Sequence, residues 1–269
     1  TNVYNNGRWG DVWGAQIEEI IGKPRHPYTS VALDDAAAAE HARIIADRQP
    51  FTDLELRPPQ ADGREKIVLA SGSPVFDEIG VFRGYRGASR DVTRERRMAD
   101  ELTHQAAHDV LTGLANRRAF EQRLERVLQG AENSLSEHCL CYLDLDQFKV
   151  VNDTCGHAAG DELLRRVSSL LLEHIRTRDM LARLGGDEFG VLLENCQLSD
   201  ARLVAENIRE ALARFRFTWE SKVFTVGVSI GVVSLSAGVK TVAQALSAAD
   251  SARYVAKDNG RNLVHVHDG

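Results

Sequence analysis

Two adjacent carboxylates, Asp187 and Glu188, follow a glycine pair in the stretch Arg183-Leu184-Gly185-Gly186-Asp187-Glu188-Phe189-Gly190. Apolar runs flank them, Met180 to Leu184 before and Phe189 to Leu193 after. That is the pattern of a β-hairpin whose tight turn uses glycine at positive φ. A Gly-Gly hairpin alone is commonplace. Carboxylates at the tip of an apolar ribbon are not explained by folding, whereas hard oxygen donors beside bare backbone suit Mg²⁺ and phosphate chemistry. Asp144, at the end of the apolar run from Cys139, could stand beside Asp187 if the hairpin pairs with that strand. Gln147-Phe148-Lys149 opens a helix just beyond, so free backbone N–H groups would face phosphate oxygens. Lys257 and Arg261 flank the helix-stopping Gly260 and could supply further positive charge. Metal-binding carboxylates, a helix N-terminus and cations are the parts that phosphoryl transfer requires. Asp146, between them, reads as a helix cap rather than a ligand.

Base selection is also legible. Guanine presents N–H donors at N1 and N2, which a carboxylate can accept while an amide adds a further contact. Asn152 and Asp161, on either side of the turn Cys155-Gly156-His157, are candidates for this pair. Adenine would leave such acceptors unpaired, which is how polar sites discriminate strongly.

These side chains need a scaffold. At 269 residues the chain has room for two ordinary domains, and 43% hydrophobic with 27% charged residues is the composition of a soluble globular protein. A net charge of −6 argues against a dedicated nucleic-acid binder. No apolar run reaches the length of a membrane span and no signal peptide is visible, which points to the cytoplasm. The chain opens on Thr1 and reads as a fragment of a longer protein, one that could carry a membrane anchor elsewhere. All four cysteines, Cys139, Cys141, Cys155 and Cys196, lack zinc spacing and read as buried free thiols in a reducing compartment.

Residues 1–93 read as short helices, Asp11 to Ile21 and Ala36 to Arg48, followed by strands at Phe51 to Arg57, Lys66 to Pro74 and Val81 to Asp91. Trp9 and Trp13, four apart, read as core or interface, and His26 and His41 as surface histidines. Residues 94–108 form a charged connector helix with Met98, Leu102 and Ala106 on one stripe. Its shape fits either a parallel two-helix seam or a solvated linker.

Residues 109–269 open with Asn116 as a helix cap, then a buried strand to Asp144 and helices at Gln147 to Asn152 and Asp161 to Ile175. After the hairpin come a helix from Ser199 to Phe215, a ribbon of Thr218 to Ser221 with Val223 to Leu235, and a helix striped by Val242, Ala245, Ala249, Ala252 and Ala256. A strand from Asn262 to His267 ends the unit. This is an antiparallel-rich sheet with helices packed on it, an α+β class.

Two resemblances sharpen this outline. Gly72-Ser-Pro-Val-Phe-Asp77 and Gly84-Tyr-Arg-Gly-Ala-Ser-Arg-Asp-Val-Thr93 resemble the C-terminal half of a PAS domain, its first strand missing, with the closing Asp-Val-Thr similar to the triplet that precedes an output helix. PAS domains take haem, flavin or small metabolites, or only dimerise; without a cysteine in 1–93, a cysteinyl–flavin adduct is excluded, and the sequence names no ligand.

Residues 109–269 resemble a GGDEF domain, the diguanylate cyclase family. The agreement lies in Asp109…Leu-Thr-Gly-Leu…Asn-Arg-Arg118, Asp144-Leu-Asp-Gln-Phe-Lys149…Asn152-Asp153, Gly156-His157…Gly160-Asp161, Arg183-Leu-Gly-Gly-Asp-Glu-Phe189 and Ala249-Asp250…Ala256-Lys257-Asp-Asn-Gly-Arg-Asn262.

That resemblance implies a ferredoxin-like variant related to class III nucleotide cyclases. It implies that two GTP molecules, one on each of two facing domains of a homodimer, condense to cyclic di-GMP and two pyrophosphates. Asp144, the Leu145 carbonyl and Asp187 would hold Mg²⁺ or Mn²⁺, with Glu188 beside them, and Asp187 or Glu188 would take the proton of the attacking 3′-hydroxyl. Asn152 and Asp161 would contact guanine, while Phe148, Lys149, Lys257 and Arg261 would hold the phosphates. Arg176-Thr177-Arg178-Asp179 resembles the family's product-inhibition site, with Arg176 and Asp179 clamping cyclic di-GMP. The chief alternative is a GTP-sensing module that activates an EAL phosphodiesterase domain following Gly269. A cyclase making a 3′,5′-cyclic monophosphate shares the fold but not the guanine-type polar pair.

Overall fold

A computed structural model describes residues 42–57, 64–131, 136–235 and 239–267, and these fall into two compact units divided between Leu102 and Thr103. In the first, β1 (Phe51–Leu56), β2 (Val68–Phe76) and β3 (Phe82–Asp91) form an antiparallel sheet in that order. Val68 and Ala70 alternate onto one face and close a small core with Phe51 and Leu56, as a half-buried sheet requires. The Asp77 carboxylate accepts from the amides of Ile79 and Val81 at 3.2 and 2.8 Å and shapes the β2–β3 turn. A short helix occupies 42–46, while the expected Asp11 to Ile21 helix, Trp9, Trp13, His26 and His41 lie outside the described residues.

β3 hands over to helix α1 (Thr93–Ala107) through side chains. Asp91 Oδ1 accepts from the Thr93 amide at 3.0 Å and hydroxyl at 2.6 Å, and the same hydroxyl oxygen accepts from the Ile67 amide at 2.9 Å. The Asp-Val-Thr triplet therefore caps the helix and ties its start to the approach of β2. Met98 and Ala106, on the expected stripe, are exposed.

The second unit runs β4 (Ala115–Asn116), α2 (Arg117–Ala131), β5 (Cys139–Asp146), α3 (Phe148–Cys155), α4 (His157–Leu172), β6 (Met180–Gly185), β7 (Glu188–Leu193), α5 (Leu198–Arg214), β8 (Arg216–Trp219), β9 (Lys222–Thr225), β10 (Gly227–Ser234), α6 (Val242–Asp258) and β11 (Val264–Val266). The main sheet has the order β11-β10-β5-β7-β6-β4, with β5 antiparallel to both neighbours. Within it β5-α4-β6-β7-α5-β10 is a β-α-β-β-α-β unit of ferredoxin-like order, the expected α+β class. The expected single strand Val223 to Leu235 is instead two: β9 pairs with β8, and β10 joins the main sheet. Val226, 1% exposed, sits between them as a core plug, so the chain leaves the ribbon there.

Every residue of β5 is buried. Cys139, Cys141, Leu143 and Leu145 meet the α4 and α5 layer, whereas Leu140 and Tyr142 face α2 and α6. By two-residue alternation Asp144 and Asp146 share that second face. Cys139, Cys141 and Cys196 are buried free thiols while Cys155, expected to be buried too, is only half-buried beside the turn at Gly156, and burial pushes the Cys139 thiol up to about 12, so it stays protonated. Among the described residues no helix is long and apolar enough to cross a membrane.

Helix α6 is fixed at its start by a capping box, with Thr241 Oγ1 accepting from the Gln244 amide and the Gln244 side chain accepting from the Thr241 amide. Ala245, Ala249, Ala252 and Ala256 bring it close to the sheet. At the closest approach a Cβ on Gly231 would lie 2.1 Å from the Ala249 carbonyl oxygen and 2.4 Å from the Arg253 amide. Gly231→Ala must therefore lift the helix, and urea denaturation should register a loss of about 1–3 kcal/mol. An unchanged midpoint would show that the helix tolerates the lift.

Candidate active site

Asp144 is 5% exposed and lies opposite Glu188 of β7 on one side and Ser229 of β10 on the other. Its Oδ2 accepts from Arg253 Nη1 at 2.7 Å. Lys257 Nζ lies 2.5 Å from Oδ1, so each oxygen of this water-sealed carboxylate faces a cation. A buried carboxylate that draws two cations is a strongly anionic point that suits a metal ion as well. The main chain of Asp187 reaches the same strand end, its carbonyl accepting from the Leu145 amide at 3.2 Å. Burial first, and then the charge of Asp144, push the Asp187 carboxyl above the ordinary carboxylate range. Asp144 and Asp187 thus share one electrostatic neighbourhood. Among the described residues no three acidic, histidine or cysteine side chains form a metal cage; the expected set has only two such side chains, completed by the Leu145 carbonyl. Hard carboxylate and carbonyl oxygens gathered at one strand end fit magnesium or manganese.

The hairpin tip is held from behind by arginines that the sequence reading left without roles. Arg183 donates through Nε and Nη2 to the Gly186 carbonyl at 2.9 and 2.8 Å, and through Nη1 to both Asp109 oxygens at 3.1 and 3.2 Å. Gly186 has φ 52°, the left-handed conformation that glycine takes without strain, and it sets Asp187 at the tip. Arg117 donates to the Leu184 carbonyl at 2.9 Å and lies 3.7 Å from Glu188. Glu188 also accepts from the Tyr142 hydroxyl at 2.9 Å. Burial, and then that carboxylate, push the Tyr142 hydroxyl up to about 12, so it remains a donor.

At the helix start expected to face phosphate, α3 begins directly after Gln147, whose φ of 64° is left-handed and whose side chain makes no cap. Asp146 is not the cap either. It turns away to accept from Ser229 Oγ at 2.9 Å and from the Asn262 amide at 2.8 Å, because its alternation onto the α2 and α6 face directs it toward β10. That bond anchors a turn in which Arg261 and Asn262 both have positive φ, 63° and 47°. Arg261 and Lys149 are exposed, and Phe148 packs partly against the core. The Asn152 side-chain oxygen is buried without a hydrogen-bond partner. It would stand 2.0 Å from a Cβ on Gly160, so the residue after Gly160, Asp161, is close by and exposed.

The structure leaves Arg176 and Asp179 apart from this cluster. Asp179 braces its own loop, accepting from the Arg176 and Glu194 amides at 3.2 and 3.3 Å, while the Arg176 side chain is exposed. Arg253 was missed by the sequence reading, although its i, i+4 spacing to Lys257 on an alanine-faced helix was a usable signal.

Two measurements test this frame. Asp146→Ala leaves the Asn262 amide without its acceptor, and a loss of about 1–3 kcal/mol with faster amide exchange at Asn262 is expected; unchanged exchange there would remove its anchoring role. Burial pushes the Asp109 carboxyl up, but the Thr112 hydroxyl and amide and then Arg183 more than reverse this, leaving it below the ordinary range. A depressed folded value gives stability that is present above the unfolded pKa of about 4 and is lost as pH falls through the folded value. The stability deficit of Asp109→Asn should be full at pH 7 and shrink in acid; a pH-independent deficit would count against the charge pairing with Arg183.

Comparison with known proteins bears on this geometry. The family model for the diguanylate cyclase GGDEF domain matches residues 106–263, and that for the PAS fold matches residues 1–97. The probable diguanylate cyclase DgcE of Escherichia coli is 45% identical over 179 residues, 66% of this chain and 16% of that protein. The cyclic di-GMP phosphodiesterase PdeB of Shewanella oneidensis is 37% identical over 204 residues, 76% of this chain and 23% of that protein. The chain thus spans less than a quarter of the length of either relative. The solved coiled-coil and GGDEF domain of DgcB from Caulobacter crescentus, in complex with c-di-GMP, superposes with a TM-score of 0.61 at 32% identity, covering 65% of this chain and 93% of that one. With a PAS-fold match ahead of it, the chain belongs to the diguanylate cyclase GGDEF-domain family.

Proposed function

We propose that the chain is a diguanylate cyclase, condensing two GTP molecules to cyclic di-GMP with release of two pyrophosphates. The observation that carries this reading is the shared corner of Asp144 and Asp187, where a buried carboxylate draws two cations and a neighbouring carboxyl is pushed up by burial and then by the charge of Asp144. A divalent ion, magnesium or manganese, held by Asp144, the Leu145 carbonyl and Asp187, would screen the phosphoryl charge as each 3′-oxygen displaces pyrophosphate from the partner's α-phosphorus. The N–H groups at the start of α3, around Phe148 and Lys149, would hold phosphate oxygens, with Lys257 and Arg261 completing the neutralisation. Asn152 and Asp161 would accept from guanine N–H groups; the unpaired oxygen of Asn152 supports this assignment. Asp187 or Glu188 takes the proton of the 3′-hydroxyl.

Because each domain holds one GTP, the reaction needs two domains face to face, hence a homodimer. We assign residues 1–93 to a PAS-like sensory domain, 94–108 to a helical linker and 109–269 to the cyclase domain. In this arrangement the linker sets whether two sites meet, and Arg176 with Asp179 binds cyclic di-GMP as a brake. A second reading is favoured by the likeness to PdeB: a GTP-sensing GGDEF module that activates an adjacent EAL phosphodiesterase domain.

Incubation of the protein with GTP and Mg²⁺, with products resolved by chromatography, separates the two. The cyclase reading expects cyclic di-GMP from the parent chain and at least a hundredfold less from Asp187→Ala. GTP binding by a dimer without any cyclic dinucleotide would transfer the case to the sensor reading. Asp161→Ala should weaken GTP binding roughly tenfold or more and narrow the preference for GTP over ATP. An unaltered preference would remove Asp161 from base selection. Arg176→Ala should relieve inhibition by added cyclic di-GMP while leaving initial turnover intact.

A further inference from the structure

Asp144 meets two cations of one helix, and they are not equivalent. Lys257 pairs with Oδ1 as a point charge, while Arg253 makes a directed charge-assisted bond to Oδ2. Arg253 is itself 13% exposed and lies 5.5 Å over the Tyr142 ring. It has a second acceptor on its own helix: Asp250, one turn back, accepts from Nε at 2.8 Å and from Nη2. The guanidinium therefore bridges two carboxylates, the sealed Asp144 and the half-exposed Asp250.

A carboxylate engaged in this way cannot turn freely toward a divalent ion, and a fixed guanidinium beside it repels that ion. The guanidinium can nevertheless leave at little cost. Its two bonds to Asp250 persist when the one to Asp144 breaks, so no charge is left buried and alone. The backbone of Arg253 already lies against Gly231 of β10 and has no room to move closer to the sheet, so the exchange is a movement of the side chain.

We propose that Arg253 is a latch on the metal-binding carboxylate: it closes Asp144 in the nucleotide-free protein and shifts wholly onto Asp250 when the cation arrives, thereby setting how tightly this chain holds its metal. Arg253 is a positioning residue that acts through Asp144, and the inference rests on the reading of Asp144 as a metal ligand.

The test is Mn²⁺ binding to the nucleotide-free full chain, followed by electron paramagnetic resonance. Arg253→Met frees Asp144 and should tighten Mn²⁺ binding on the order of tenfold, with Arg253→Lys between it and the parent. Asp250→Asn weakens the alternative acceptor and should loosen binding, because the guanidinium then stays on Asp144. Asp144→Asn should abolish the site in every background. Unchanged or weaker binding in folded Arg253→Met overturns the latch; if that variant does not fold, unchanged or tighter binding in Asp250→Asn overturns it. Binding indifferent to Asp144→Asn overturns the metal reading and the latch together, whereas binding lost in Asp144→Asn but unmoved by Arg253→Met and Asp250→Asn sinks the latch alone.

Discussion

A carboxylate sealed at the end of a fully buried strand has to be neutralised, and much of the second unit is arranged around that requirement. Asp144 cannot be hydrated where β5 puts it, between β7 and β10 and beneath α6. The charge is met by Arg253 and Lys257, which the close seating of α6 brings within reach. That seating depends in turn on small residues, four buried alanines on the helix and Gly231 on the strand below. Bulkier side chains at this interface would have held the cations away. Packing and electrostatics are one constraint here, since the helix approaches closely enough to neutralise only because its contact face is nearly bare.

The hairpin adds the opposing tendency. Asp187 and Glu188 bring more negative charge to the same region, and the Asp187 carboxyl is raised first by burial and then by the charge of Asp144. What keeps the tip in place is an outer set of cations, Arg183 on the Gly186 carbonyl and Arg117 on the Leu184 carbonyl, with Arg117 also 3.7 Å from Glu188. Neither arginine pairs with the Asp187 side chain, while the backbone that carries it is held. Strain of this kind, like charges kept close by a scaffold, is common where charged ligands bind.

Much of this was legible in the chain. Period-two and helical patterns located the elements of the second unit, and Asp144 and Asp187 were paired before any geometry was known, because a strand end and a hairpin tip are the only parts of such a pattern that leave carboxylates without a folding role. What the pattern could not carry was partnership at long range. Asp146 read as a helix cap because it precedes a helix, yet the strand's alternation turns it toward Ser229 and Asn262. Arg253 carries no reading in the sequence, since nothing local to it names a carboxylate on a strand far upstream. The break at Val226 was hidden for the same reason: two strands in different sheets look continuous when each is apolar.

The order in which these parts leave the ribosome has a consequence. Arg253 meets Asp144 across 109 positions, and Asn262 meets Asp146 across 116. Contacts so distant along the chain form late, after the loop between them has closed. A chain cut short of α6 would therefore keep the signature hairpin and Asp144 but lack both cations that neutralise that carboxylate, so this corner needs the penultimate element of the unit before it can become native.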